Sequence, residues 1–205
     1  MRKLILAVTL VLAFLFSVGC NSKDMNIDYS QLNDAPISSV RVFNPAVAQE
    51  VIDRADYIIK GKFTGDRKVD YQYSGGVVSY ACTISPFQID TVYKGGMDEG
   101  STIKIVEDYY IDEELDGGTI FHLGNYYPSD LGRDYLIFLK EYSPESRFAG
   151  QYYLVGSEYG RYPYINSKAR SVNIETYSNL NLNLGSGNSN IYRSIYEEMI
   201  EEYMS

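Results

Sequence analysis

VVSYACTISPFQIDTVYK, residues 77–94, is the stretch on which the fold turns. Val, Ile, Thr, Tyr and Phe dominate it, and these residue types suit a pleated, half-buried strand. At about 3.3 Å per residue a straight strand of this length would span roughly 60 Å, well beyond the usual range. The segment must therefore bend or break. Pro86 marks the place, because it cannot donate a ladder hydrogen bond. The apolar alternation changes phase there: Tyr80, Cys82 and Ile84 share one parity, Phe87 and Ile89 the other. A bent strand of this kind belongs to a small barrel or a strongly coiled sheet.

Outward from it the period-two pattern continues. Residues 57–63 alternate as a strand, and 66–76 read as a turn region. Residues 101–107 form a further strand with Ile103 and Ile105 on one face. Residues 108–133 read as a long loop. The run 134–142 is apolar on both faces, as in a central strand. Residues 151–159 and, more weakly, 171–177 follow the same pattern. Asn44-Pro45 opens a short helix, with Asn suited to the cap and Pro to the first turn. Residues 191–205 close the chain as an amphipathic helix, with Ile191, Ile195, Met199 and Tyr203 spaced by four. The expectation is a mostly-β protein: a small antiparallel OB-like barrel or coiled sheet with a short N-terminal helix and a C-terminal helix. A closed barrel would remove the exposed edges of so much β sequence.

A resemblance points the same way. Ala55-Asp56-Tyr57-Ile58-Ile59-Lys60-Gly61-Lys62-Phe63 is followed by Phe87-Gln88-Ile89-Asp90-Thr91-Val92-Tyr93-Lys94-Gly95. Ile103-Lys104-Ile105 and Gly132-Arg133-Asp134-Tyr135-Leu136-Ile137-Phe138-Leu139 come later. Together they resemble the core of the netrin-like, tissue-inhibitor-of-metalloproteinase OB-fold superfamily. The similarity covers residues 55–140 and implies a fold more than a function. Animal members of that superfamily lean on disulfides and inhibit proteases through a free N-terminal Cys. Neither feature has a counterpart here, so inhibition is not carried over.

The N-terminus speaks to location. Arg2 and Lys3 precede fifteen uncharged residues, 4–18, too few for a comfortable membrane span but suited to a signal peptide. Ser17-Val18-Gly19-Cys20 resembles the bacterial lipobox, with Ser17 where Leu is usual. The resemblance implies cleavage before Cys20 and acylation of Cys20. The expected organisation is a leader over 1–19, a flexible tether over 20–38, a barrel domain over 39–182, a linker over 183–190 and a helix over 191–205. The protein would sit lipid-anchored on the extracytoplasmic face of a cell membrane. The bilayer would be one partner, through acylated Cys20, and an envelope protein or glycan another.

Charge narrows the partners further. The chain carries 18 basic and 27 acidic residues. Loss of Arg2 and Lys3 with the leader lowers the basic count to 16 and takes the net charge from −9 to −11. Such a surface repels nucleic acid. No cofactor and no metal site are expected. Asp112-Glu113-Glu114-Leu115-Asp116-Gly117 echoes the opening of a Ca²⁺ loop, but the position of the closing carboxylate holds Leu123. His122, the only His, reads as a surface-loop residue, and Cys82 as a buried structural thiol.

Among 21 tyrosines, Tyr126, Tyr127, Tyr162 and Tyr164 lie near turns. A ring with a polar tip suits sugars and protein surfaces, so these four are the expected ligand-binding residues. Two function classes follow. The first is a non-catalytic binding or interaction module with no catalytic residues. The second is a hydrolase acting on a cell-envelope polymer through a pair among Glu107, Asp108 and Glu158, which would have to converge in a cleft.

Overall fold

The structure is a computed structural model and describes residues 28–37, 43–165 and 173–204. The expected leader, Cys20 and the first part of the tether lie outside the described residues. In chain order the elements are β1 (Asn33–Ile37), α1 (Ala48–Arg54), β2 (Tyr57–Phe63), β3 (Lys68–Ser74), β4 (Val77–Lys94) and β5 (Thr102–Glu107). Then come β6 (Tyr109–Asp112), β7 (Thr119–Leu123), β8 (Asp134–Glu141), β9 (Tyr152–Leu154), β10 (Arg161–Pro163) and α2 (Asn190–Tyr203).

Five strands close into a barrel in the order β2-β4-β5-β9-β8, and β8 returns to β2. All neighbours are antiparallel except β5 and β9, which run parallel. The fold is thus the mostly-β, OB-like barrel with a helix before and after that the strand pattern led to. Ile59, Phe63, Phe87, Ile89, Ile105, Tyr135, Ile137 and Leu139 fill the barrel. Burying each such side chain contributes about 1.5–3 kcal/mol.

β8 is apolar on both faces for a simple reason. Tyr135, Ile137 and Leu139 point into the barrel. Leu136 and Phe138 point out, under α1 and α2, where Val51, Tyr192, Ile195, Tyr196 and Met199 meet them. The apolar stripe of α2 is turned from the expected one: Ile191 is exposed, while Tyr192, Ile195, Tyr196 and Met199 are buried.

β4 runs unbroken for 18 residues because it changes partners. Its first part pairs with β3 up to Ile84, its middle with β5, and its last part with β2 from Phe87 onward. The phase change in the sequence is a change of buried face. Cys82 is covered on the outside by Phe148 and Val106, whereas Phe87 and Ile89 enter the barrel. Gly61 allows β2 to lie against β4 here, since a Cβ would collide with the Gln88 carbonyl and the Phe87 ring.

Several expectations are corrected. The loop expected over 108–133 contains the hairpin β6–β7. The last residues of the expected tether form β1, parallel to β7. The expected turn region 66–76 contains β3, and only Gly75 and Gly76 make its turn. The strand expected over 151–159 ends at Leu154 and continues as a 3-10 turn, Ser157–Gly160. Within 171–177, of which 171–172 lie outside the described residues, the backbone forms a 3-10 turn at Ile174–Thr176. The expected linker is packed: Asn183 and Leu184 are buried, and the Asn179 side chain donates to the carbonyls of Gly185 and Gly187. These pieces were missed because each is short and tertiary contacts, not local periodicity, order them.

Candidate functional site

Two polar constellations stand out, one inside the barrel and one on its wall. The inner one centres on Glu107, the last residue of β5, which is fully buried. Its Oε1 accepts hydrogen bonds from the Tyr126 hydroxyl at 2.7 Å and the Ser129 hydroxyl at 2.8 Å. Its Oε2 accepts from the Ser85 hydroxyl. Arg67 Nε and Arg161 Nη1 each stand 3.8 Å from it.

Both arginines are themselves tied down. Arg161 donates to the carbonyls of Tyr127 and Asn183 and lies 4.1 Å above the Tyr126 ring. Arg67 donates to the Ser129 carbonyl and to the Tyr29 hydroxyl, at 2.6 and 2.9 Å. Burial opposes the charge on Arg67, but Tyr109 and Glu107 more than offset it and raise its pKa. With every oxygen of Glu107 engaged and no exposure, the group is a sealed ion cluster that spans the barrel, not an open acid.

The outer constellation is a groove of about 590 Å³ across the outward faces of β4 and β5. Ile84 and Pro86 of β4 form its apolar floor, and Thr102 and Lys104 of β5 its far side. The loop after β2 supplies Thr64 and Asp66, the first residue of β3 supplies Lys68, and Gln151 closes the end just before β9. Lys60, Lys62 and Lys140 form ion pairs with Asp134, Asp90 and Asp56. Lys68 and Lys104 have no such partner among the described residues, so two free ammonium groups face one groove on an acidic protein.

Arg67 joins the two constellations. It sits between Asp66 and Lys68, and its side chain plunges into the barrel toward Glu107. Asp66 takes a left-handed backbone conformation, φ +64°, to make that turn.

The expected site residues are mostly internal. Tyr126 and Tyr162 are fully buried and Tyr127 nearly so. Tyr126 serves Glu107, Tyr127 donates to the Tyr29 carbonyl, and Tyr162 donates to the Tyr159 carbonyl while stacking on Tyr192. They are therefore unavailable as a ligand face, and that expectation is corrected for these three. Tyr164 is half-buried beneath the Lys60 ammonium, 4.2 Å above its ring. A phenol with an internal hydrogen-bond partner packs as well as a phenylalanine, so turn proximity alone did not separate inner from outer tyrosines.

His122 is not a surface-loop residue. It lies in β7, buried, with Nε2 at 2.5 Å from Asp34 Oδ1 of β1. Glu158, like Glu107, is buried. Asp112 Oδ1 accepts the backbone N–H groups of Glu114 and Leu115, which folds the acidic stretch into a tight local turn. No cluster of three or more metal-capable side chains occurs among the described residues. The Cys82 thiol is fully buried, and burial pushes its pKa up to about 11.

No family model matches this chain, and no curated protein matches it. The groove was invisible to sequence reading because its walls come from three separated segments. The one local signal was Lys104, a charged residue in a strand whose neighbours Ile103 and Ile105 are apolar.

Proposed function

We propose that the protein is an extracytoplasmic lipoprotein, anchored through acylated Cys20, whose barrel binds an extended envelope glycan in the β4–β5 groove without altering it. The groove carries the reading. OB barrels bind oligosaccharides and oligonucleotides across their second and third strands, between the loop after the first strand and the loop before the fifth. Counting around this barrel, those strands are β4 and β5, and the connections corresponding to those loops, the first of which contains β3, supply Asp66, Lys68 and Gln151. A net charge of −9 argues against oligonucleotides. Hydroxyl, amide and ammonium groups around an apolar floor suit sugar rings, and the free Lys68 and Lys104 favour a glycan with acidic substituents. Hydrolysis of a glycosidic bond needs two carboxyl groups about 5–10 Å apart. Among the groove's lining residues only Asp66 carries one.

The test titrates the full-length chain with acidic envelope polysaccharide and with solubilised peptidoglycan. Saturable binding to one of them is expected, weakened at least tenfold, about 1.4 kcal/mol, by Lys104→Glu. Undiminished binding by that variant would remove the groove from the reading. In parallel, Cys20→Ala should move the protein out of the membrane fraction.

A further inference from the structure

β3 is an edge strand: it pairs with β4 and with no other strand among the described residues. An unpaired, regular strand edge is a template for another strand. Proteins usually blunt such edges with charges, bulges, prolines or brevity; β3 has no proline and no extra residue of its own, and of its two charged residues Asp70 is held by Arg147 on the covered face. It runs seven residues, and the one register shift in the β3–β4 hairpin comes from Ser79, an extra residue on β4.

The two faces of β3 differ. Asp70 and Gln72 are covered by Arg147, which bonds to both side chains. Val69, Tyr71 and Tyr73 point the other way and are exposed, with Tyr73 64% accessible. Val77 and Val78 continue this apolar tip, Val77 at 66%. The Gln72 carbonyl accepts from the Ser79 hydroxyl, so the backbone groups of even-numbered β3 residues turn toward β4. Those of Val69, Tyr71 and Tyr73 turn toward the open edge, because N–H and C=O alternate in direction along a strand.

We infer that this edge pairs antiparallel with the same edge of a second copy of the chain, centred on Tyr71. The sequence KVDYQYS, residues 68–74, is what selects a second copy as occupant. With Tyr71 opposite Tyr71, Val69 faces Tyr73, Asp70 faces Gln72, and Lys68 faces Ser74. All seven residues are used, the apolar side chains gather on one face, and no like charges meet. Shifting the centre to Asp70 would set two carboxylates directly opposite each other, which is destabilising. The pairing is isologous, so it closes at two copies and does not propagate into a fibre.

The experiment exploits the two-fold centre. Residues directly opposite in an antiparallel pair have Cα atoms about 4.5–5.5 Å apart, within disulfide reach. In cells expressing the full-length chain, Tyr71→Cys should give a disulfide-linked homodimer. Wild type, which keeps Cys20 and Cys82, and Tyr93→Cys, on another exposed surface, should not. In sedimentation of the full-length chain, Tyr71→Lys and Tyr71→Glu should each dissociate the dimer at least tenfold more readily than wild type, and an equimolar mixture should restore it. A wild-type monomer at the highest soluble concentration overturns the inference. So does equal cross-linking at positions 71 and 93, a cross-link to a different protein, or a mixture no better than its components. None of these readouts depends on the glycan, so failure here leaves the groove untouched.

Discussion

Glu107 is the residue on which most of the interior polar order depends. It compensates the buried guanidinium of Arg161 and the partly buried one of Arg67, and collects the hydroxyls of Ser85, Tyr126 and Ser129. Removing one partner of a buried ion cluster leaves the others charged, desolvated and unpaired, at a cost of about 3–5 kcal/mol. Glu107→Ala should therefore lower the unfolding free energy by about that much in urea. Arg67 should also lose its counter-charge, keeping only its bonds to the Ser129 carbonyl and the Tyr29 hydroxyl, and since it lies between Asp66 and Lys68 the groove wall should loosen with it. Replacing the whole cluster with apolar residues of similar volume would be the milder change, because desolvation is then avoided. A loss below about 1 kcal/mol for Glu107→Ala would mean that water reaches the cluster and that the barrel opens there.

At the scale of elements, β1 is the piece that ties the chain's N-terminal region to the barrel body. It pairs along its whole length with β7, and Asp34 bridges His122 and the Ser186 hydroxyl. Asp34→Ala leaves a buried imidazole without that partner, at a cost of about 1–3 kcal/mol. Its expected signature is selective: faster proteolysis ahead of α1 and faster amide exchange in β1 and β7, with the barrel strands unchanged. Uniform loss of protection across β2, β4 and β8 would show that β1 is not a separable strap. Elements of this kind mark the limit of what the sequence discloses. The barrel strands were legible because each carries its own alternation, and β8 even announced that both its faces are covered. β1, β3, β6 and β7 were not, because Pro36, the charged Lys68 and Asp70, and the acidic run 112–116 conceal strands that only their partners define. The cluster at Glu107 was hidden for the same reason: Arg67, Glu107, Ser129 and Arg161 converge from four parts of the chain, and nothing in their local spacing records it. The groove has that origin too.

For the whole molecule, the decisive composition is 21 tyrosines, many of them internal. Burial is the main cause that raises the pKa of Tyr127 to about 12, with Asp34 adding to it. Burial likewise lifts Tyr126, Tyr109 and Tyr162 well above the ordinary tyrosine value, and Cys82 to about 11. All these shifts are upward, so the folded state holds protons that the unfolded chain releases near pH 8.5 for Cys and 10 for Tyr. A raised pKa stabilises the fold fully below the unfolded value, and that stability is lost as pH climbs through the folded value. Each such group steepens the decline by up to about 1.4 kcal/mol per pH unit. The melting temperature should therefore be nearly level from about pH 7 to 8.5, begin to fall as the thiol of the unfolded chain starts to ionise, and drop steeply between about pH 10 and 12. Phenolate absorbance should rise in two phases, exposed tyrosines first and the internal ones only together with loss of the β circular-dichroism signal. Complete phenolate formation with an intact β spectrum at about pH 12 would mean that the inner hydroxyls ionise in the folded barrel, which the ring of Tyr126, Ser129 and Ser85 around the Glu107 carboxylate does not permit.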